Sequence, residues 1–215
     1  MSQARSITLD KYIDRALPAS DALLVRLEQQ ADEEKIPIIG RAGAALIQLL
    51  THLIEPELIV ELGTATGYSA IWLLRGWPKA RLLSFEIDQA LADQARQNLR
   101  VAGLADRADV RTENAVDALE GLEPGSADIV FNDILNGLRD EARVDECFQR
   151  AITILKPGGL LLADNALASG EVTSADSREA RCVRRWNERV AVEPSLTGMI
   201  LPVGDGLSVA VVAGS

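Results

Sequence analysis

The sequence predicts a doubly wound α/β fold: a mostly parallel seven-stranded sheet preceded by an N-terminal helical cap. Three observations predict it. From Leu58 onward, short apolar runs alternate with amphipathic helical stretches, the pattern of repeated βα units. The first apolar run opens into a loop holding Gly63 and Gly67 and then a helix, the junction at which open α/β sheets bind ligands. The residues before Pro56 instead repeat apolar positions at helical spacing, without strand alternation.

Taken in order, residues 12–17, 22–34 and 41–53 read as helices. Ser20 and Asp21 are N-cap candidates for the second, and Pro56 supports a stop after the third. Strands are expected at 58–62, 81–86, 108–112, 128–133 and 159–164, with helices between them at 68–75, 89–102, 115–119 and 139–155. Residues 190–193 and 207–212 read as two further strands around a loop with Pro202 and the Gly204-Asp205-Gly206 turn. Lys156-Pro157-Gly158-Gly159 reads as a helix-to-strand turn, not a phosphate loop. A chain of 215 residues without internal repeats is expected to be one domain, 1–55 forming the cap and 56–215 the α/β core.

Composition narrows the function. A formal net charge of −10 argues against a nucleic-acid partner, because a phosphate backbone is met by a basic face. No apolar stretch has the length of a membrane span or signal peptide, which predicts a cytoplasmic protein without a membrane partner. Cys147 and Cys182 fall in amphipathic helical segments and are expected as reduced thiols. The single histidine, His52, has no nucleophile near it in sequence and reads as structural or surface; Trp72, Trp77 and Trp186 read as packing residues.

The loop Glu61-Leu62-Gly63-Thr64-Ala65-Thr66-Gly67-Tyr68-Ser69 fits E-x-G-x-x-x-G and not the G-x-G-x-x-G of dinucleotide sites, which disfavours a nicotinamide oxidoreductase. A cofactor bearing an amino acid brings an ammonium, and Glu61 can supply the carboxylate it needs. Glu86, ending the next strand in Ser84-Phe85-Glu86-Ile87-Asp88, can accept hydrogen bonds from both ribose hydroxyls of an adenosine.

With these segments in place, the sequence resembles the cation-dependent O-methyltransferases, the family of catechol and caffeoyl-CoA O-methyltransferases and many small bacterial relatives. The likeness runs from about Ile36 to the C-terminus. It is densest at residues 61–69, at 84–88, at Leu155-Lys-Pro-Gly-Gly-Leu-Leu-Leu-Ala-Asp-Asn165 with Ser169-Gly170 following, and at Pro202-Val-Gly-Asp-Gly-Leu207. The resemblance implies a class I, Rossmann-like fold using S-adenosylmethionine, with a small-molecule acceptor and homodimeric assembly. It implies Gly63, Tyr68 and Ser69 at the methionine end with Glu61 near the amino group, Glu86 on the ribose, and Asn114 and Ala115 beside the adenine. Thr64, Gly67, Ile87 and Asp133 complete the cofactor-binding set it implies. Asp133, Asp164 and Asn165 would bind the metal. Strand order supports that trio, since Asp133 and Asp164 close the fourth and fifth strands at the same end of the sheet. Two carboxylates and an amide oxygen suit a hard cation, Mg²⁺ first, with Mn²⁺ or Ca²⁺ as alternatives.

Asp133 and Asn136 are the candidate catalytic positions, and at Asn136 the chain departs from the family, which has a lysine general base there. An amide takes no proton at any useful pH. Three accounts stand: another base, an acceptor acidic enough to need none, or cofactor binding with little turnover. The functional readings are correspondingly a metal-assisted O-methyltransferase acting on a catechol-like or phenolic hydroxyl, a metal-independent methyltransferase of another acceptor class, and a cofactor-binding protein.

Overall fold

Along the strands, side chains sort with a period of two onto opposite faces of the sheet, and that sorting defines the layers. In the computed structural model, which describes residues 9–17 and 20–214, the chain runs through α1 (Leu9–Ala16), α2 (Ala22–Glu34) and α3 (Arg41–Ile54) into β1 (Leu58–Leu62). There follow α4 (Tyr68–Gly76), β2 (Arg81–Glu86), α5 (Gln89–Val101), β3 (Ala108–Thr112) and α6 (Ala115–Ala118). The chain then continues through β4 (Ala127–Asn132), α7 (Glu141–Ile154), β5 (Leu155–Ala163), α8 (Arg178–Val192), β6 (Leu196–Leu201) and β7 (Leu207–Val212). The seven strands form one sheet in the order β3-β2-β1-β4-β5-β7-β6, parallel except at β7, which runs antiparallel to both neighbours. The predicted doubly wound, mostly parallel, seven-stranded fold is the observed one.

Ile59, Leu82, Ile129, Phe131, Leu160 and Leu162 pack on the face covered by α2 to α5. Val60, Leu62, Leu83, Phe85, Val130 and Leu161 face α6 to α8. On that second side Phe148 meets Trp186 edge-on, ring centroids 5.3 Å apart, an arrangement that adds about 0.5–1.5 kcal/mol to the burial itself. Trp72 and Trp186 are both buried, as packing residues should be; Cys147 and Cys182 are free and buried. His52 is exposed near the end of α3, with Nδ1 3.3 Å from the Gly76 carbonyl oxygen. Among the described residues no helix is long and apolar enough to cross a membrane.

Two expectations need correction. Residues 190–193 are not a strand: Val190 closes the buried stripe Ala180, Val183, Trp186, Val190 of α8, which ends at Val192. The apolar Val190-Ala191-Val192 run belongs to the amphipathic periodicity of that helix, and the strand lies further on at β6, an edge strand too exposed to alternate. The turn at 156–159 is taken up within β5, because pairing with β4 resumes directly after α7. The register steps from Ala127↔Leu155 to Ile129↔Leu160, so the Lys-Pro-Gly-Gly segment is an irregularity in the ladder.

Asp88 caps α5 by accepting from the N–H groups of Ala90 and Leu91 at 2.7 and 3.1 Å. Asp88→Ala is expected to cost about 1 kcal/mol, the usual worth of such a cap, read as a lower denaturation midpoint with unchanged slope.

Candidate active site

The β1–α4 loop leaves the sheet beside β2. Gly63 donates its N–H to the Phe85 carbonyl at 3.0 Å with φ +94°, a conformation that side-chain-bearing residues rarely adopt. A Cβ there would sit 2.8 Å from Ile134 Cγ2 and 3.1 Å from the Asp133 carbonyl oxygen, so the loop runs hard against the tip of β4. Gly67, at φ +85°, is required by the turn into α4 and by close packing on Ala95.

A cleft of about 670 Å³ opens beside this loop, and its lining includes Gly63, Glu86, Ile87, Asn114, Ala115 and Ile134. Glu86 is fixed by backbone donors: one carboxylate oxygen accepts from Ala65 N at 2.8 Å, and the other from Ile87 N at 2.8 Å and Asp88 N at 3.0 Å. Ile87 is 71% exposed, an apolar side chain left open on the cleft wall. Asn114 caps α6 by accepting from Val116 N and Asp117 N, and its oxygen also accepts from Arg143. Glu86, Ile87, Asn114 and Ala115 therefore meet in one cleft. Arg143 bridges Asn114, Asp117 and Glu146 on the same wall, and no sequence motif points to it; only the pairing of α6 with α7 reveals it.

Glu61, Thr64 and Ser69 lie deeper. Glu61 is completely enclosed and accepts from Ser69 Oγ at 2.6 Å and Ser84 Oγ at 2.5 Å, while Thr64 Oγ1 lies 2.5 Å from Ser84 Oγ. Burial raises the Glu61 carboxyl to about 7 despite the two hydroxyls that favour its ionised form, with Glu86 adding repulsion. Tyr68 is turned away from the loop. Its ring is buried at a T-shaped contact with Trp72, and its hydroxyl donates to Glu28 Oε1 of α2 at 2.7 Å, an orientation set by the helical cap.

Asp133 and Asp164 each follow the last residue of a strand, and Asn132 and Ala163 before them are register partners. Asp133 N donates to Leu62 O at 2.9 Å and Asp164 N to Asn132 O at 3.0 Å, so the two residues stand on neighbouring tips. Burial lifts the Asp133 carboxyl well above the ordinary carboxylate range, with repulsion from Asp164 and Glu61 adding to it; burial also lifts Asp164. Among the described residues neither carboxylate has an ion-pair partner; Arg178, paired with Glu179, donates to the Asn136 backbone oxygen at 3.2 Å. Asn165 adopts φ +60° beside Asp164. That loop is fixed from the C-terminal side, where Ala166 N donates to Gly206 O, Leu167 N to Asp205 O, and Ser169 N to an Asp205 carboxylate oxygen. Among the described residues no group of three His, Cys, Asp or Glu side chains could hold a metal; the trio expected from the sequence has only two such side chains, its third donor being the Asn165 amide. Asn136 is exposed in a short turn after β4.

A parallel sheet with a glycine loop, an acid at the tip of β2 and paired acids on neighbouring tips describes a class I methyltransferase. The chain belongs to the O-methyltransferase family, whose model matches residues 20–212. It is 34% identical to a catechol O-methyltransferase of Niastella koreensis, over 95% of this chain and 96% of the relative. Among solved structures it is similar to an O-methyltransferase from Bacillus cereus in complex with SAH, with a TM-score of 0.81 and 30% identity over 95% and 96% of the two chains. It is similar also to the O-methyltransferase TomG from Streptomyces achromogenes, involved in tomaymycin synthesis and solved with SAM, with a TM-score of 0.82 and 29% identity over 100% of both chains.

Proposed function

We propose that this protein transfers the methyl group of S-adenosylmethionine to a hydroxyl of a small catechol-like or phenolic acceptor, assisted by a divalent cation at Asp133, Asp164 and Asn165. The observation that carries the cation is the pair of carboxylates on adjacent strand tips, Asp164 buried and Asp133 half-buried, with no cationic side chain paired to either among the described residues. Such a pair favours a proton or a metal, and an all-oxygen donor set suits Mg²⁺. When bound, the cation would supply Lewis-acid stabilisation of an acceptor oxyanion.

The chain's own residues do the rest. Glu86 would orient the donor through its ribose, Ile87 and Ala115 would border the adenine, and the Gly63 loop would bring the donor's sulfur end toward Asp133. Transfer is a single displacement in which the acceptor oxyanion, its proton released to solvent, bonds to the methyl carbon as the carbon–sulfur bond breaks and its electron pair returns to sulfur, leaving a thioether. Holding the reacting atoms in line supplies up to about 7–11 kcal/mol of the barrier reduction. The relatives' names and bound ligands support the same donor and acceptor classes. The test is methyl transfer to a panel of catechols in Mg²⁺ and in chelator, after S-adenosylmethionine binding has been measured by calorimetry. Cation-dependent transfer is expected.

Asn136 favours a second reading, metal-independent transfer to another acceptor class, which would give chelator-indifferent turnover. Under the first reading, Asn136→Lys should raise catechol turnover about tenfold at neutral pH. That is less than the ~10²–10⁴ typical of a general base, because a cation bound there would itself acidify the phenol. An unchanged rate would remove the missing lysine as a limit.

A further inference from the structure

The chain after Asp164 turns through a conformation that its own residues do not favour. Asn165, Ala168 and Ser169 have φ of +60°, +45° and +52°, and Gly170 follows at +86°. Asparagine tolerates the left-handed region, but alanine and serine rarely enter it, so the turn keeps this shape only where its surroundings hold it. Ala166 N donates to Gly206 O at 2.9 Å and Leu167 N to Asp205 O at 2.8 Å, both contacts between backbones. Two side chains add to them. Asp205 Oδ1 accepts from Ser169 N at 2.6 Å, and Asn187 Nδ2 donates to Ala166 O at 2.9 Å. Asn187 lies on α8 four residues after Val183 and three before Val190, on the face that packs into the domain. Its Oδ1 is buried without a hydrogen-bond partner among the described residues. An amide with one buried, unsatisfied end costs stability, so folding alone gives no reason for it there.

We propose that Asp205, from the turn between β6 and β7, and Asn187, from α8, are positioning residues that hold the 165–170 turn so that the Asn165 amide stays beside the Asp164 carboxylate as a donor to the cation. The inference rests on the reading that Asp164 and Asn165 bind a divalent cation. Neither positioning residue is itself a ligand. Asp205 stands near enough to Asp164 to repel its carboxylate, yet among the described residues it forms no metal-holding group with Asp133 and Asp164, and its Oδ1 is committed to Ser169. Asn187 acts through the Ala166 carbonyl, one residue beyond Asn165.

The test is Mn²⁺ binding by the protein loaded with S-adenosylhomocysteine, read by electron paramagnetic resonance, with S-adenosylhomocysteine affinity and melting temperature measured beside it. Asp205→Ala should weaken Mn²⁺ about 10–100-fold, the usual effect of losing a group that orients a metal ligand, and leave S-adenosylhomocysteine affinity unchanged. Asp205→Asn keeps an oxygen for the Ser169 N–H and should recover most of that loss; a loss as large as that of Asp205→Ala would assign the effect to charge and overturn the positioning role. Asn187→Leu should weaken Mn²⁺ about tenfold at an unchanged melting temperature, because removal of the unpartnered oxygen offsets the lost bond to Ala166. It decides the matter if Asp205→Ala does not fold. Mn²⁺ affinity kept in both Asp205→Ala and Asn187→Leu, or equal losses for Mn²⁺ and S-adenosylhomocysteine, would overturn the inference while leaving the cation reading intact. A parent that binds S-adenosylhomocysteine but no Mn²⁺ would sink that reading and the inference together.

Discussion

Asp133→Asn is expected to lower methyl transfer to a catechol about 10³-fold while raising the melting temperature of the cofactor-free protein. The first effect follows from the donor set: an amide in place of a carboxylate removes one of two charges available to a divalent cation. A loss of about 4 kcal/mol of transition-state stabilisation corresponds to that factor. The second follows from the cost of keeping Asp133 and Asp164 side by side, both with carboxyls lifted above their ordinary range. Relief of about 1 kcal/mol corresponds to about 2–4 °C in a chain of this size. The opposed signs separate a functional residue from a structural one, since a change that merely unsettled the fold would lower both.

The same pair sets a pH dependence. Folding raises the Asp164 carboxyl from 3.8 to about 6, so the folded protein holds that proton more tightly than the unfolded chain. This contribution to stability is complete below 3.8 and is lost as pH rises through about 6. Added Mg²⁺ should therefore raise the melting temperature more at pH 8 than at pH 5, and Asp133→Asn should abolish most of that difference. Equal Mg²⁺ shifts at the two pH values would argue against a cation at these carboxylates.

Glu86→Ala is expected to reduce affinity for S-adenosylhomocysteine by about 10²-fold or more. Two charge-assisted hydrogen bonds to a ribose diol are each worth about 1.5–3 kcal/mol, and three backbone N–H groups already aim the carboxylate, so little of that is spent on ordering it. The sharper check is calorimetry with a 2′-deoxy analogue. The parent should bind it more weakly than the ribose form, whereas Glu86→Ala should bind the two alike. A variant that still discriminates would assign the diol to another residue.

The βα alternation and the acids at the strand tips are legible in the sequence because each depends on local pattern: apolar runs of fixed length, a glycine loop, an aspartate after a strand. Glu86 can be assigned to the cleft from its strand end alone, and Asn114 from the family resemblance. What escapes depends on which residues lie side by side in space. Ser84 sits in the apolar run Leu82-Leu83-Ser84-Phe85, where only the register with β1 reveals that it faces Glu61. A polar residue inside an otherwise apolar buried strand is the available signal. The motif position assigns Tyr68 to the loop, but its side chain follows the helical direction of α4 and finds Glu28 in the cap. The edge strand β6 gives no alternation because one side of it has no neighbouring strand, and a valine pair in α8 imitates a strand in its place.

The turn before β7 bears on how such a protein can diversify. Gly206 lies so close to Leu167 that a Cβ there would meet its Cγ at 2.5 Å, and the carbonyls of Asp205 and Gly206 brace the segment that follows Asp164 and Asn165. The proposed donor half is built instead by β1, β2 and α4. Because the two halves are supported separately, loop grafting around Asp164 and Asn165 should carry the 202–207 turn intact as a structural strut and keep the N-terminal helices, whose Leu24, Leu27 and Ile47 pack in one core with Ile71 of α4.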